Sequence, residues 1–193
     1  MGFWKKVVSD IRAVKRNDPA AKSYLEVILC HTPLWTILTY RLMHPLARIG
    51  LPVIPRFVMT LSKVVTGIEI HPSAQIGKSF FIDHGVGVVI GETTIIGDNC
   101  TLFHNVTLGG TGKHVGKRHP TLGNNVLVGV AATILGPVTI GDNVKIGAET
   151  FIIMHDAPSN CTIVGVPGKI VRLNGKKANI KLKATKVLST TKK

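Results

Sequence analysis

Rings are scarce in this chain: aromatic residues make up 5% of its 193 residues, against a hydrophobic share of 45%. One domain with a helical appendage fits that length. Its core must be filled by Val, Ile, Leu and Ala, which suits small branched side chains stacked in many similar layers. Cysteine is rare too. Cys30, Cys100 and Cys161 are odd in number, far apart and without a CxxC pair. That fits a reducing cytoplasm rather than a disulfide framework or a zinc site. No apolar run reaches the ~20 residues of a membrane span. The most apolar region, residues 24–66, is interrupted by Pro33, Arg41, Pro45, Arg48, Pro52 and Arg56. Met1-Gly2-Phe3-Trp4-Lys5-Lys6 has no apolar stretch behind its charges, so no signal peptide is visible, and Lys6 stands where a myristoylation motif wants Ser or Thr.

Acids are also few, 10 against 24 Lys and Arg, for a net charge of +14. Residues 1–66 carry ten basic and three acidic side chains, residues 67–168 five and seven, and residues 169–193 nine and none. A basic chain raises nucleic acid or an acidic membrane as a partner. Here the excess lies in the two ends, which lack the interleaved aromatics of a nucleic-acid surface. A non-catalytic scaffold with binding ends would show salt-sensitive binding and no chemistry.

What is present is a six-residue beat. Ile70, Ile76, Ile82 and Val88 stand six apart; Ile90, Ile96, Leu102 and Leu108 continue after a two-residue slip. Leu122, Val128, Ile134, Ile140, Ile146 and Ile152 resume it, and Val164 and Ile170 fall on the same grid. A small or branched residue often stands two places before the aliphatic, as at Ala74, Cys100, Val126 and Ala132, and glycine often follows it, as at Gly77, Gly91 and Gly97. Neither a helix nor a hairpin pattern has that period. A coil of short strands with sharp corners does: each hexapeptide forms one flat side and its aliphatic points inward, the pattern of a parallel β-helix.

Residues 1–66 lack the beat and read as helical over Asp10–Arg16, Leu25–Met43 and 53–66, broken by Pro19, Pro33 and Pro45. The coil is expected over 67–172. Leu108 and Leu122 are fourteen apart rather than twelve, so the polar, glycine-rich segment 109–120 is expected to bulge out as a loop. Residues 173–193 are expected to form a basic tail without order.

Gly109 to Lys113 fails the spacing of a phosphate-binding loop, and His114 with His119 lacks the further ligands a metal would need. Three polar clusters remain: Glu69 with His71, Asp83 with His84, and Arg118 with His119. With three six-residue sides per coil, position 69 lies near position 87, one layer from His84. Adjacent layers are ~4.8 Å apart, so a carboxylate at 69 is expected to reach and orient the His84 imidazole as a general base.

Glu69-Ile70-His71-Pro72, Phe81-Ile82-Asp83-His84-Gly85, Ile90-Gly91-Glu92-Thr93, Val106-Thr107-Leu108-Gly109-Gly110-Thr111-Gly112-Lys113, Lys117-Arg118-His119-Pro120 and Val164-Gly165-Val166-Pro167-Gly168 together resemble bacterial serine acetyltransferases, as does Asp18-Pro19-Ala20 in the helical part. The resemblance covers roughly residues 8–175. It implies a left-handed parallel β-helix of hexapeptide repeats with an N-terminal α-helical region, and direct acetyl transfer from acetyl-CoA to L-serine without a metal. By the resemblance, His84 takes the serine hydroxyl proton and Glu69 orients it. Many family members have Asp at that position, while short forms have Glu. Asp18 and Asp83 would hold the serine ammonium, Arg118 and His119 its carboxylate. Gly110, Thr111, Val130, Lys145 and Ala148 would line the coenzyme A groove. Backbone N–H groups would stabilise the oxyanion, and no cysteine stands near His84 in sequence to carry an acyl group.

The longer members of this family carry an extra helical region that joins trimers into hexamers; a simple homotrimer is expected here. Members that bind the sulfhydrylase of cysteine biosynthesis do so through a C-terminal Ile. Thr190-Thr191-Lys192-Lys193 stands against that complex. A sugar or exopolysaccharide O-acetyltransferase of the same fold is the alternative, which would keep His84 but has no need of Asp18, Asp83 and Arg118 as a clamp for a zwitterion.

Overall fold

The computed structural model describes residues 2–112 and 115–185. Four helices come first: α1 (Phe3–Asn17), α2 (Tyr24–Cys30), α3 (Thr32–Arg48) and α4 (Val53–Thr66). The Ser23 hydroxyl caps α2 by accepting the Glu26 N–H at 3.1 Å. Pro33 sits in the first turn of α3, where its missing N–H costs nothing. Pro45 does not break α3, which runs three residues further. α4 ends on Gly67 in the left-handed region, at φ +71°.

The coil then starts. β1 (Glu69–Ile70), β2 (Gln75–Ile76) and β3 (Phe81–Ile82) lie on its first, second and third faces. The next turns repeat them as β4 (Val89–Ile90), β5 (Ile95–Ile96) and β6 (Thr101–Leu102), then β7 (Thr107–Gly109), β8 (Thr121–Leu122) and β9 (Leu127–Val128). β10 (Thr133–Leu135), β11 (Thr139–Ile140) and β12 (Lys145–Ile146) form the fourth turn, followed by β13 (Phe151–Ile153), the short β14 (His155–Asp156) and β15 (Cys161–Val164). Strands pair in parallel as β1-β4-β7-β10-β13, β2-β5-β8-β11 and β3-β6-β9-β12-β15.

The beat is the inward position. Ile70, Ile90, Leu108, Ile134 and Ile152 stack down the first face, all buried. Plain turns advance by 18 residues, as Ile90 pairs with Leu108 and Ile134 with Ile152. The first turn takes 20, since Ile70 pairs with Ile90, because the corner after β3 holds two extra residues. The third takes 26, as Leu108 pairs with Ile134. β8 is thus the next side after β7, and the excursion between them is eight residues longer than a plain corner, not two. One residue is missing near the end: Ile146 pairs with Ile163, so Ile163 points inward and Val164, expected on the grid, is exposed.

Several corners turn on asparagine. Asn99, Asn105, Asn125 and Asn143 sit near φ +57°, and the side-chain amides of Asn125, Asn143 and Asn160 hydrogen-bond in a ladder at 2.9 Å. Glycines after the inward aliphatic serve close approach between turns: a Cβ on Gly77 would lie 2.5 Å from the Gly97 carbonyl oxygen.

The helices close one end of the coil. Ile37, Tyr40 and Met59 join its aliphatic core, and the Tyr40 hydroxyl donates to the Ala74 carbonyl at 2.6 Å. Asp10 of α1 and Arg41 of α3 form a buried, two-bond ion pair at 2.9 and 3.3 Å. Asp10 also accepts the Phe80 N–H at 3.0 Å, and Arg41 donates to the Ile76 carbonyl at 2.7 Å. At the other end the expectation of an unordered tail from residue 173 is corrected for residues 173–185, the described part. β16 (Lys169–Leu173) folds back antiparallel on β15, β17 (Lys176–Lys181) on β16, and β18 (Lys183–Ala184) on β14. The reason is a core that needs a lid: Leu173, Ala178 and Leu182 pack against it. Among the described residues no helix is long and apolar enough to cross a membrane.

Candidate active site

The long corner after β3 carries Asp83 and His84. His84 is a non-glycine residue at φ +60°, which costs energy and turns its side chain outward, 78% exposed. Its Nε2 lies 4.0 Å from Asp83 Oδ1, and its ring meets His104, one turn on, edge to face at 5.9 Å. Across a cleft of about 490 Å³ stand Asp18 and His31 from the helical region. Asp18 follows α1 directly; its N–H donates to the Val14 carbonyl at 2.9 Å, and its Oδ1 accepts the Ala20 N–H at 2.8 Å. Burial holds the His31 imidazole below its ordinary pKa, against the pull of Asp18 and Asp83.

Arg118 and His119 occupy a different edge, where the first face turns into the second. His119 is buried under Gly91, where a Cβ would sit 2.1 Å from its ring. Its Nδ1 accepts the Thr93 N–H at 3.2 Å, which leaves the ring proton on Nε2. The Thr93 hydroxyl accepts the N–H groups of Arg118 and His119 at 3.0 and 3.1 Å. The Arg118 guanidinium pairs with Glu92 and holds that carboxyl below the usual range. Burial, with Arg118 close by, lowers the His119 pKa. Lys117 donates to the carbonyls of Thr93 and Pro120 at 2.6 and 3.2 Å, and burial brings its ammonium down to about 8.

Glu69 stands on the first face itself, against α4. It lines a cavity of about 150 Å³ with Arg56, Lys63 and His71, and accepts an ion pair from Lys63. It does not come within 4.0 Å of His84, and the expected dyad is not assembled within one chain. The cause is register: Glu69 pairs with Val89, and the two extra corner residues carry His84 toward the third face.

The residues expected to hold coenzyme A divide in the same way. Val130 and Ala148 stand at the corner position of His84 and His104 in later turns, joined through Ala131 N–H to His104 carbonyl at 3.0 Å and Glu149 N–H to Val130 carbonyl at 2.7 Å. Lys145 is exposed on the third face beside them. Gly110 lies with the other group: a Cβ there would meet the Arg118 carbonyl at 3.2 Å. The Thr111 hydroxyl is buried without a hydrogen-bond partner among the described residues, as is His104 Nδ1. Lys113 and His114 lie outside the described residues. Sequence reasoning missed His104, which its placement 20 residues after His84 could have revealed, and His31, for which nothing in the sequence gave a signal. It also missed Cys30, which is far from His84 in sequence yet lines the same cleft.

A coil of two-residue parallel strands on a six-residue beat, with polar clusters confined to its edges, places the chain among the hexapeptide-repeat transferases. The family model described as bacterial transferase hexapeptide (six repeats) matches residues 119–153, and the coil is that family's left-handed β-helix. A serine acetyltransferase of Synechococcus elongatus is 50% identical over 173 residues, 90% of this chain and 70% of that relative. Soybean serine acetyltransferase complexed with serine superposes with a TM-score of 0.84 at 40% identity, covering 88% of this chain and 69% of that one. The serine acetyltransferase of Brucella abortus in complex with coenzyme A gives 0.83 at 36%, covering 90% and 68%. The chain belongs to the serine acetyltransferase family, acetyl-CoA-dependent acyltransferases.

Proposed function

We propose that this chain transfers the acetyl group of acetyl-CoA to the hydroxyl of L-serine, with His84 as general base, and so supplies O-acetylserine for cysteine biosynthesis in the cytoplasm. The observation that carries the reading is the cleft holding His84 between two carboxylates, Asp83 beside it and Asp18 across from it. Two anions next to a base suit an acceptor whose ammonium is tied down while its hydroxyl is deprotonated. The relatives complexed with serine and with coenzyme A support both substrates.

The cations for the serine carboxylate, Arg118 and His119, lie on another edge of the same coil, and Glu69 lies on the first face. Two different patches of one chain that complete each other make a head-to-tail contact, and such contacts form a ring where the rotation closes. In the homotrimer proposed here the His84 edge of one copy joins the Arg118 edge of the next. Glu69 of the neighbouring copy then reaches the imidazole, and a pantetheine arm runs between Val130 and Ala148 of one copy and Gly110 and Thr111 of the other.

In the transfer step the serine hydroxyl oxygen bonds to the thioester carbonyl carbon as its proton passes to His84. The tetrahedral adduct collapses, the carbon–sulfur bond breaks, and the departing thiolate takes the proton back from His84. Placement of both substrates and the base accounts for the acceleration, with ~10²–10⁴-fold from the base itself.

A thiol-release assay tests this with L-serine and with sugars as acceptors. Coenzyme A is expected to appear with L-serine and to fall ~10²-fold or more in His84→Ala. Release with a sugar but not with serine would replace the reading by sugar O-acetylation. An undiminished rate in His84→Ala would leave His84 a structural residue.

A further inference from the structure

We infer that His31 is the specificity-determining hydrogen-bond donor of the acceptor pocket, giving its Nε2–H to a carboxylate oxygen of the bound amino acid. The inference rests on the reading of the cleft as the acceptor site and adds a residue to it.

The ring is fixed on three counts. His31 sits between α2 and α3, and its Nδ1 accepts the Leu34 N–H at 3.2 Å, capping α3. Its face lies on the Phe81 ring, centroids 5.8 Å apart and planes 30° from parallel. An Nδ1 that accepts a backbone N–H carries no proton, so the neutral ring must hold its proton on Nε2. That nitrogen has no hydrogen-bond partner among the described residues, while the ring lines the cleft with Asp18, Asp83 and His84. A donor of fixed direction, on a ring that lines the acceptor space, is left unpaired.

Charge says what it would take. Asp18, Asp83 and His84 are the titratable groups that act on it across the cleft, and burial favours the neutral imidazole against the pull of the two carboxylates. A lysine or arginine at this place would pair with Asp18 or Asp83 and block the ammonium site. A neutral donor leaves both carboxylates free. In an α-amino acid the carboxylate is one carbon removed from the ammonium, so an ammonium held by those aspartates brings a carboxylate oxygen alongside.

The two ring nitrogens can be tested apart. His31→Asn keeps an acceptor at the Nδ1 position and removes the Nε2 donor; His31→Gln keeps a donor at the Nε2 position and removes the cap. The Asn variant is expected to raise the KM for L-serine, and its calorimetric Kd on the full-length protein, about tenfold or more, as for loss of one hydrogen bond to a charged group. Its melting temperature and its KM for acetyl-CoA should stay at the wild-type values. The Gln variant is expected to melt lower yet keep the serine KM within about threefold. An Asn variant with wild-type serine affinity, or one whose acetyl-CoA KM rises equally, would overturn the inference. Should the Asn variant fail to fold, the Gln variant decides: a tenfold loss of serine affinity there overturns it, and retention supports it. Wild-type protein that neither binds nor acetylates serine would remove the acceptor reading itself, whereas active wild type beside an unaffected Asn variant removes only the role of His31.

Discussion

Three cysteines occupy three kinds of surroundings, and the chemistry open to each follows. Cys100 is buried in the coil, its thiol donates to the Gly123 carbonyl at 3.1 Å, and burial pushes its pKa up to about 11. Cys161 is buried at the far end, with its thiol also raised by burial. Cys30 is exposed and lines the cleft of His84. Reactivity follows thiolate fraction and access, so a disulfide reagent should titrate one thiol in the native protein and three after denaturation. The position of Cys30 also sharpens the choice between direct and two-step transfer. Under direct transfer Cys30→Ala keeps its rate within about threefold, whereas an acyl-cysteine intermediate would make that variant inactive. A single-turnover assay on the variant separates the two.

Between elements, the contact that sets the cleft is the Asp10–Arg41 pair, because Asp18 directly follows α1 and α1 is pinned to the coil through Asp10. Arg41 is 4% exposed and Asp10 fully buried. Asp10→Ala leaves the guanidinium buried with carbonyl partners alone, a change expected to cost ~3–5 kcal/mol. Urea denaturation would show it as a lower midpoint, and the serine KM should rise with it as Asp18 loses its anchor. Replacing both partners by apolar residues of similar volume should cost less. Much of this level was legible in the sequence. An inward aliphatic repeats at each side of a coil, so the beat gave the strands. The helices followed from Pro19, Pro33 and the apolar faces between them. What failed was counting across irregular corners. Two residues inserted after β3 moved His84 away from Glu69, and one missing before β15 shifted Val164 outward. β17 escaped notice because its sequence, Lys176-Lys177-Ala178-Asn179-Ile180-Lys181, shows four polar side chains in six; its order comes from backbone pairing with β16 and from Ala178 against the core.

For the whole molecule the separation of the two polar edges is the decisive feature, because under the proposed function one chain would hold two halves of different sites. Asp18, Asp83, His84, Val130 and Ala148 belong to one edge; Gly110, Arg118 and His119 belong to the other, with Glu69 on the first face. Neither half contains both a base and a cationic clamp. If a ring of three completes each site, then His84→Ala and Arg118→Ala are each inactive for a different half, and mixing them must restore activity. In a trimer assembled from both variants, the contact in which an Arg118→Ala copy offers its intact His84 to the intact Arg118 of a His84→Ala copy is whole. Every mixed trimer has one such contact among its three, and random equal mixing makes about three quarters of trimers mixed, so about a quarter of wild-type sites should return. Co-expression of the two variants, with the assembly sized by sedimentation, measures this directly. Recovery near a quarter requires sites shared between copies. A mixture as inactive as its parts would mean that each copy builds its site alone, and would return the join between His84 and Arg118 to a single chain.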